Sequence, residues 1–214
     1  MPARVGIYVT PTQFRTVIST GVNDTLVDAC VQDNVLPFVF GSEATLWADF
    51  RTQLSQSLDI QQDDIRIVGS GRFGFSMRPG NNLRAYRDTS DIDVVVVNDA
   101  LFDKFWDALL TAAYPREQTM SQIGGWLRKL QNSVYTGYLV PPDIKLDIQT
   151  FGVKANPVLA LRSLWYKSFH EASEIPPGEF ESLQGRIYRS WDHAKHYHRH
   201  SLIELRKSLM GASP

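Results

Sequence analysis

The stretch VGSGRFGFSMRPGNNLRAYRDTSDIDVVVV, from Val68 to Val97, holds a glycine cluster and a carboxylate pair that point to different enzymes. Gly69, Gly71 and Gly74 fit G-x-G-x-x-G. As a dinucleotide fingerprint, that pattern needs a helix after the glycines and an acid at the far end of the following strand. Neither is present. The segment after Gly74 carries Pro79, Gly80, Asn81 and Asn82 in its middle, which leaves no room for a crossover helix. Asp91 and Asp93 stand before the valines, at the start of the strand.

The carboxylates make better sense as a metal site. Side chains alternate along a strand, so Asp91 and Asp93 project to one face and Ile92 and Val94 to the other. Two carboxylates in one small space repel unless a cation lies between them, and Mg²⁺ is the usual remedy in phosphoryl chemistry. The bland alternative is a solvated strand start, but acids at every second position beside a valine run are poor strand chemistry without a purpose. A third ligand is sought in IKLDIQTF, residues 144–151, which reads as a strand after Pro141 and Pro142. Ile144, Leu146 and Ile148 form its apolar face, and Lys145, Asp147 and Gln149 the other. Asp147 is the chosen ligand. Asp143 has the same parity but follows Pro142 directly and reads as a turn residue.

Working outward, Leu46, Phe50, Leu54 and Leu58 recur every four residues, so a helix capped by Ser42 is expected to run to Leu58. IRIV is a short strand, DIDVVVV a second, and Asn98 and Asp99 cap a helix through Leu101, Phe102, Phe105, Leu109 and Ala113, closed by Tyr114 and Pro115. GGWLRKLQ is ambiguous and SVYTGYLV reads as a strand. From Pro157 the chain reads helical: ALRSLWYKSFHEA, an IPPG turn, then one long helix from Phe180 to Met210. Before Gly41, VGIYVT alternates, TLVDACVQ suits a short helix, and Pro37 ends it. The expected class is α/β (α+β), a mixed β-sheet backed by helices. Residues 1–41 pack on a core of 42–155, and 156–214 form a C-terminal helical annex.

Composition narrows the function only by exclusion. The apolar fraction of 43% over 214 residues is ordinary for a globular protein, and a formal net charge of -1 does not announce a nucleic-acid binder. Cys30 is the only cysteine, which excludes an intrachain disulfide and a thiolate zinc cluster. The sequence shows no membrane span and no secretion signal, and with a single cysteine a reducing, cytoplasmic setting is the expectation.

Gly69 and Ser70 after a helix and strand, Asp91-x-Asp93 on the next strand, and Asp147 later resemble the DNA polymerase β superfamily of nucleotidyltransferases. The resemblance covers about residues 42–153. It implies a metal-dependent enzyme that moves a nucleoside monophosphate from an NTP or dNTP to an acceptor hydroxyl of a nucleic acid, nucleotide or protein. The catalytic metal ligands would be Asp91, Asp93 and Asp147, holding two Mg²⁺ ions for which Mn²⁺ can substitute. Gly69, Ser70, Gly71, Arg72, Gly74 and Lys145 would bind the nucleotide. The gap from Ser70 to Asp91 is longer than in many members, and its extra residues bring Arg78, Arg84 and Arg87 either near the phosphates or onto a solvated loop face. Phe73 and Phe75 could stack on a base or pack in the core. The chain is similar in general look to small bacterial enzymes of phage defence or stress response; self-association is left open. The rival reading is a non-catalytic nucleotide-binding regulatory module or toxin partner.

WDHAKHYHRH adds a histidine-rich tail. On a helical wheel His198 falls in the apolar stripe, while Arg186, Arg189, His193, His196, His200 and Lys207 line the opposite face. That face is a solvated surface, a guide for nucleic acid or triphosphate, or a zinc site lacking a clear fourth ligand. Arg189 and His196 also resemble the R-x4-6-H pattern of HEPN ribonucleases.

Overall fold

The computed structural model describes residues 9–33, 35–87, 89–113, 125–175 and 182–211. The VGIYVT alternation lies mostly outside them, as do Tyr114, Pro115 and most of the IPPG turn. Among the described residues no helix is long and apolar enough to cross a membrane.

Four strands, β1 (Ile65–Val68), β2 (Ile92–Val97), β3 (Tyr138–Leu139) and β4 (Leu183–Tyr188), form one mixed sheet in the order β1-β2-β4-β3. β1 runs antiparallel to β2, β2 parallel to β4, and β4 antiparallel to β3. Helices cover both faces, as a sheet with apolar residues on two sides requires. Ile67, Ile92, Val94, Val96 and Ile187 pack into one core with α3 (Ala44–Leu58), α5 (Asp99–Ala113) and α8 (Asn156–Ser173). Val68, Val95, Val97 and Tyr188 face the other, with α1 (Pro11–Thr20), α2 (Asp24–Val31) and α9 (Trp191–Leu209). The β-branched run of β2 therefore serves two cores at once, each buried side chain contributing about 1.5–3 kcal/mol.

The remaining helices are α4 (Ser70–Phe73), α6 (Gly125–Tyr135) and α7 (Ile148–Phe151). The expected α3 stripe is present, with Phe50, Leu54 and Leu58 buried, although Glu43 occupies the N-cap in place of Ser42. The Asn98 carboxamide accepts from the Leu101 amide at 2.8 Å, as a cap for α5 should.

Three expectations give way. SVYTGYLV is not one strand: its first residues end α6, and only Tyr138 and Leu139 pair with β4. IKLDIQTF is extended at its start but turns helical at Ile148, with Asp147 as the N-cap of α7. The acid satisfies an orphan helix amide there, a local bond that competes with strand pairing. The long C-terminal helix begins only at Trp191, because Leu183–Tyr188 form β4 in the middle of the sheet. A short apolar segment with a mixed pattern satisfies both periodicities, and the tertiary partner chooses between them. The C-terminal segment thus contributes a central strand as well as helices.

Candidate functional site

β1 ends at Val68, opposite Asp93 in the register, and the chain reverses through Gly69 at φ 64° and ψ -141°. A side chain is strained at that φ. A Cβ on Gly69 would also sit 3.4 Å from the Asp93 Oδ2 atom, so the bare turn brings backbone against the carboxylate. The Gly69 carbonyl accepts from the Arg72 and Phe73 amides at 3.2 and 3.3 Å, which starts the single turn of α4. Gly74 ends it in the left-handed region at φ 78°, pressed on the Phe38 ring.

Gly69, Ser70, Asp91 and Asp93 line one cleft of about 540 Å³, a volume within the range of small-ligand sites. The paired acids thus share one space, as the strand alternation predicts. Asp91 is exposed at the edge and Asp93 is half-buried. Burial raises the Asp93 pKa, Arg186 opposes that shift, and the charge of Asp91 adds to it.

The insertion forms one wall. It folds back as a hairpin-like loop, with Phe75 bridged to Ala85, the Ser76 amide donating to the Arg84 carbonyl at 2.7 Å, and the Tyr86 amide to the Gly74 carbonyl at 2.8 Å. Leu83 is buried in the second core, and the Gly80 amide donates to Ser208 Oγ at 3.1 Å, tying the loop to the end of α9. Arg78 and Arg84 therefore line the cleft from an anchored loop, whereas Arg87 lies outside the lining.

Arg186 enters the cleft from β4, not from a helix face. β4 pairs Gln184 with Asp93 and Arg186 with Val95, so Arg186 and Asp93 share a face, and Nη1 lies 3.5 Å from Asp93 Oδ1. Its guanidinium stands over the Tyr197 ring, 5.5 Å from the centroid. The helical wheel concealed this residue; the alternation of Gly185 and Ile187 against Arg186 and Tyr188 was the signal that could have revealed it.

Other expected nucleotide contacts sit elsewhere. Arg72 is buried, and its guanidinium donates to the Ala29 and Asp33 carbonyls, clamping α4 to the end of α2. Gly71 packs on Ile67 and Val39, and neither Gly71, Arg72 nor Gly74 lines the cleft. Phe73 and Phe75 are core residues beside Phe14. Lys145 and Asp147 are exposed and outside the lining. The Asp147 carboxylate accepts from the Thr150 amide at 2.7 Å and from its hydroxyl at 3.1 Å. Asp143 pairs with Lys129 at 2.7 Å. Asp147→Ala is accordingly expected to cost about 1 kcal/mol of stability, the ordinary value of an N-cap, in a denaturant titration.

The histidines divide as well. His193 Nδ1 lies 2.7 Å from the Ser190 hydroxyl at the start of α9, while His196 and His200 are exposed. Arg189 precedes the helix and pairs with Asp103 at 3.4 Å. Among the described residues no group of three or more His, Cys, Asp or Glu is placed to hold a metal ion. Cys30 edges the cleft, but burial pushes its thiol up to about 12.

His198 lines the cleft with its Nε2 atom buried and, among the described residues, without a hydrogen-bond partner. Burial, assisted by the charge of Arg186, lowers its pKa from 6.5 to about 4. The unfolded chain then binds the proton more tightly, so stability is lost as pH falls from about 6.5 toward about 4. At pH 5 the expected loss is about 2 kcal/mol relative to pH 7, and urea titrations of His198→Phe should lack that component. Asp93 acts in the opposite sense, its raised pKa favouring the folded state as the carboxyl protonates.

Comparison with protein-family models, curated proteins and solved structures gives no match to this chain, so the functional reading rests on the chemistry of the cleft itself.

Proposed function

We propose that the protein is a divalent-metal-dependent nucleotidyltransferase that moves a nucleoside monophosphate from an NTP or dNTP to an acceptor hydroxyl. The supporting observation is the convergence of the Gly69–Ser70 turn and the Asp91–Asp93 pair on one cleft rimmed by Arg78, Arg84 and Arg186. A bare backbone turn and a seryl hydroxyl suit phosphate oxygens, and adjacent carboxylates suit a hard cation.

Asp91 and Asp93 fit one Mg²⁺ shared with the phosphates, since this ion commonly takes one or two carboxylates and fills its shell with water and substrate. A second ion would need a third carboxylate, and among the described residues Asp91 and Asp93 are the acids that line the cleft. When bound, the metal would lower the pKa of the acceptor hydroxyl and offset charge on the α-phosphate. Ser70 and the turn amides would orient the triphosphate, and Arg78 and Arg84 would stabilise the departing pyrophosphate. The acceptor proton would pass to Asp91, the more exposed of the two cleft carboxylates, or to bulk water.

The alternative, a nucleotide-binding regulatory module without turnover, gains support from the pairing of Asp93 with Arg186 and from the absence of Asp147 from the cleft lining. The deciding experiment supplies each labelled NTP and dNTP with Mg²⁺ or Mn²⁺ and follows pyrophosphate release. Label on RNA, on protein or in a free oligomer identifies the acceptor. Tight nucleotide binding without release favours the regulatory module.

A further inference from the structure

Asp93 faces two competitors for its charge. One is the divalent cation of the proposed site; the other is Arg186, 3.5 Å away on the neighbouring strand. We infer that Arg186 is a positioning residue that holds Asp93 while the metal site is empty and passes to a phosphate when cation and triphosphate bind, coupling the two ligands. The inference rests on the nucleotidyltransferase reading and assigns it a residue outside the acidic triad expected from sequence.

Three features carry it. First, the pair is loose: a strong charge-assisted hydrogen bond is about 2.8 Å long, and this separation is 3.5 Å. Second, both partners are already partly withdrawn from water, with side-chain exposures of 29% for Arg186 and 36% for Asp93, so neither would keep its charge cheaply without a counter-ion. A metal ion arriving at Asp91 and Asp93 would compete for the same carboxylate and repel the guanidinium. Third, the space around Arg186 suits a new partner. The guanidinium lies over Tyr197, a contact that tolerates a sliding cation, and the cleft also contains Arg78 and Arg84, the chemistry of a polyphosphate site. Arg186 would therefore oppose metal binding when phosphate is absent and assist phosphate binding when metal is present. Linkage makes these two effects one positive coupling.

The test measures Mn²⁺ binding to the whole chain by the paramagnetic resonance of free Mn²⁺. Inorganic tripolyphosphate binding at saturating Mn²⁺ is then followed by calorimetry. Arg186→Gln should bind Mn²⁺ alone about fivefold more tightly than the unaltered protein, because a half-buried competitor is gone. It should bind tripolyphosphate about tenfold more weakly. Arg186→Lys keeps the competing charge and should stay within about twofold of the unaltered protein for Mn²⁺. A merely structural arginine would weaken both ligands and make the two variants alike, which overturns the coupling, as does unchanged Mn²⁺ affinity in Arg186→Gln. Asp93→Asn separates the two levels of the argument. If the unaltered protein shows no Mn²⁺ binding that Asp93→Asn removes, the metal site itself falls and the coupling with it.

Discussion

Asp93→Asn is expected to lower the rate of pyrophosphate release by about 10³-fold or more while leaving the chain folded. The substitution keeps the size of the side chain at the edge of β2 but removes the charge that would anchor a cation beside the Gly69 turn. Burial raises the pKa of the half-buried Asp93, so the neutral amide relieves a desolvation cost, while Arg186 loses its partner 3.5 Å away; the two effects oppose, and the native state is expected to be retained. Loss of rate with retained stability would separate chemistry from folding. The unaltered protein must first turn over; given that, a loss of less than tenfold would remove Asp93 from the catalytic machinery.

Gly185→Val is expected to destabilise the protein by about 3 kcal/mol, with a melting temperature lower by roughly 10 °C. Gly185 is buried in β4 beside Val94 of β2. A Cβ there would meet Phe169 Cζ at 2.3 Å and Trp165 Cζ2 at 2.6 Å. Those two rings stack with centroids 4.3 Å apart and fill the space between α8 and the sheet, so they have little freedom to retreat. Relief requires α8 to lift from β4, which exposes a buried tryptophan and disturbs the strand that carries Arg186. Gly185→Ala should show a smaller loss in the same direction. A fall in melting temperature of under about 2 °C for the valine variant would mean that α8 does not pack on β4 in this way.

The fold was legible where one residue pattern admitted one structure. The valine run of β2 with acids at its start, the four-residue stripe of α3 and the capped start of α5 are strong local signals, and each element forms where expected. Legibility failed where local bonding or a distant partner decided. Asp147 lies in a segment with respectable strand alternation, but its carboxylate caps α7. Leu183–Tyr188 fits a helical stripe with the residues beyond it, yet pairing with β2 makes it a strand. That reassignment moves Arg186 from a presumed solvent-facing helix to within 3.5 Å of Asp93.

The sequence by itself determined that Asp91 and Asp93 would share a face, because alternation at the start of a strand is local geometry; that the Gly69–Ser70 turn lies beside them was implied only by the family resemblance, and the antiparallel pairing of β1 with β2 puts it there. Only the tertiary structure decided what joins them: the parallel pairing of β4 supplies Arg186, the anchored loop supplies Arg78 and Arg84, and Asp147, the N-cap of α7, is not among the residues lining the cleft. The physical reason is range. Backbone dihedrals and side-chain alternation act within a few residues, whereas the neighbour of a central strand is chosen by burial of the whole sheet between its two helical layers.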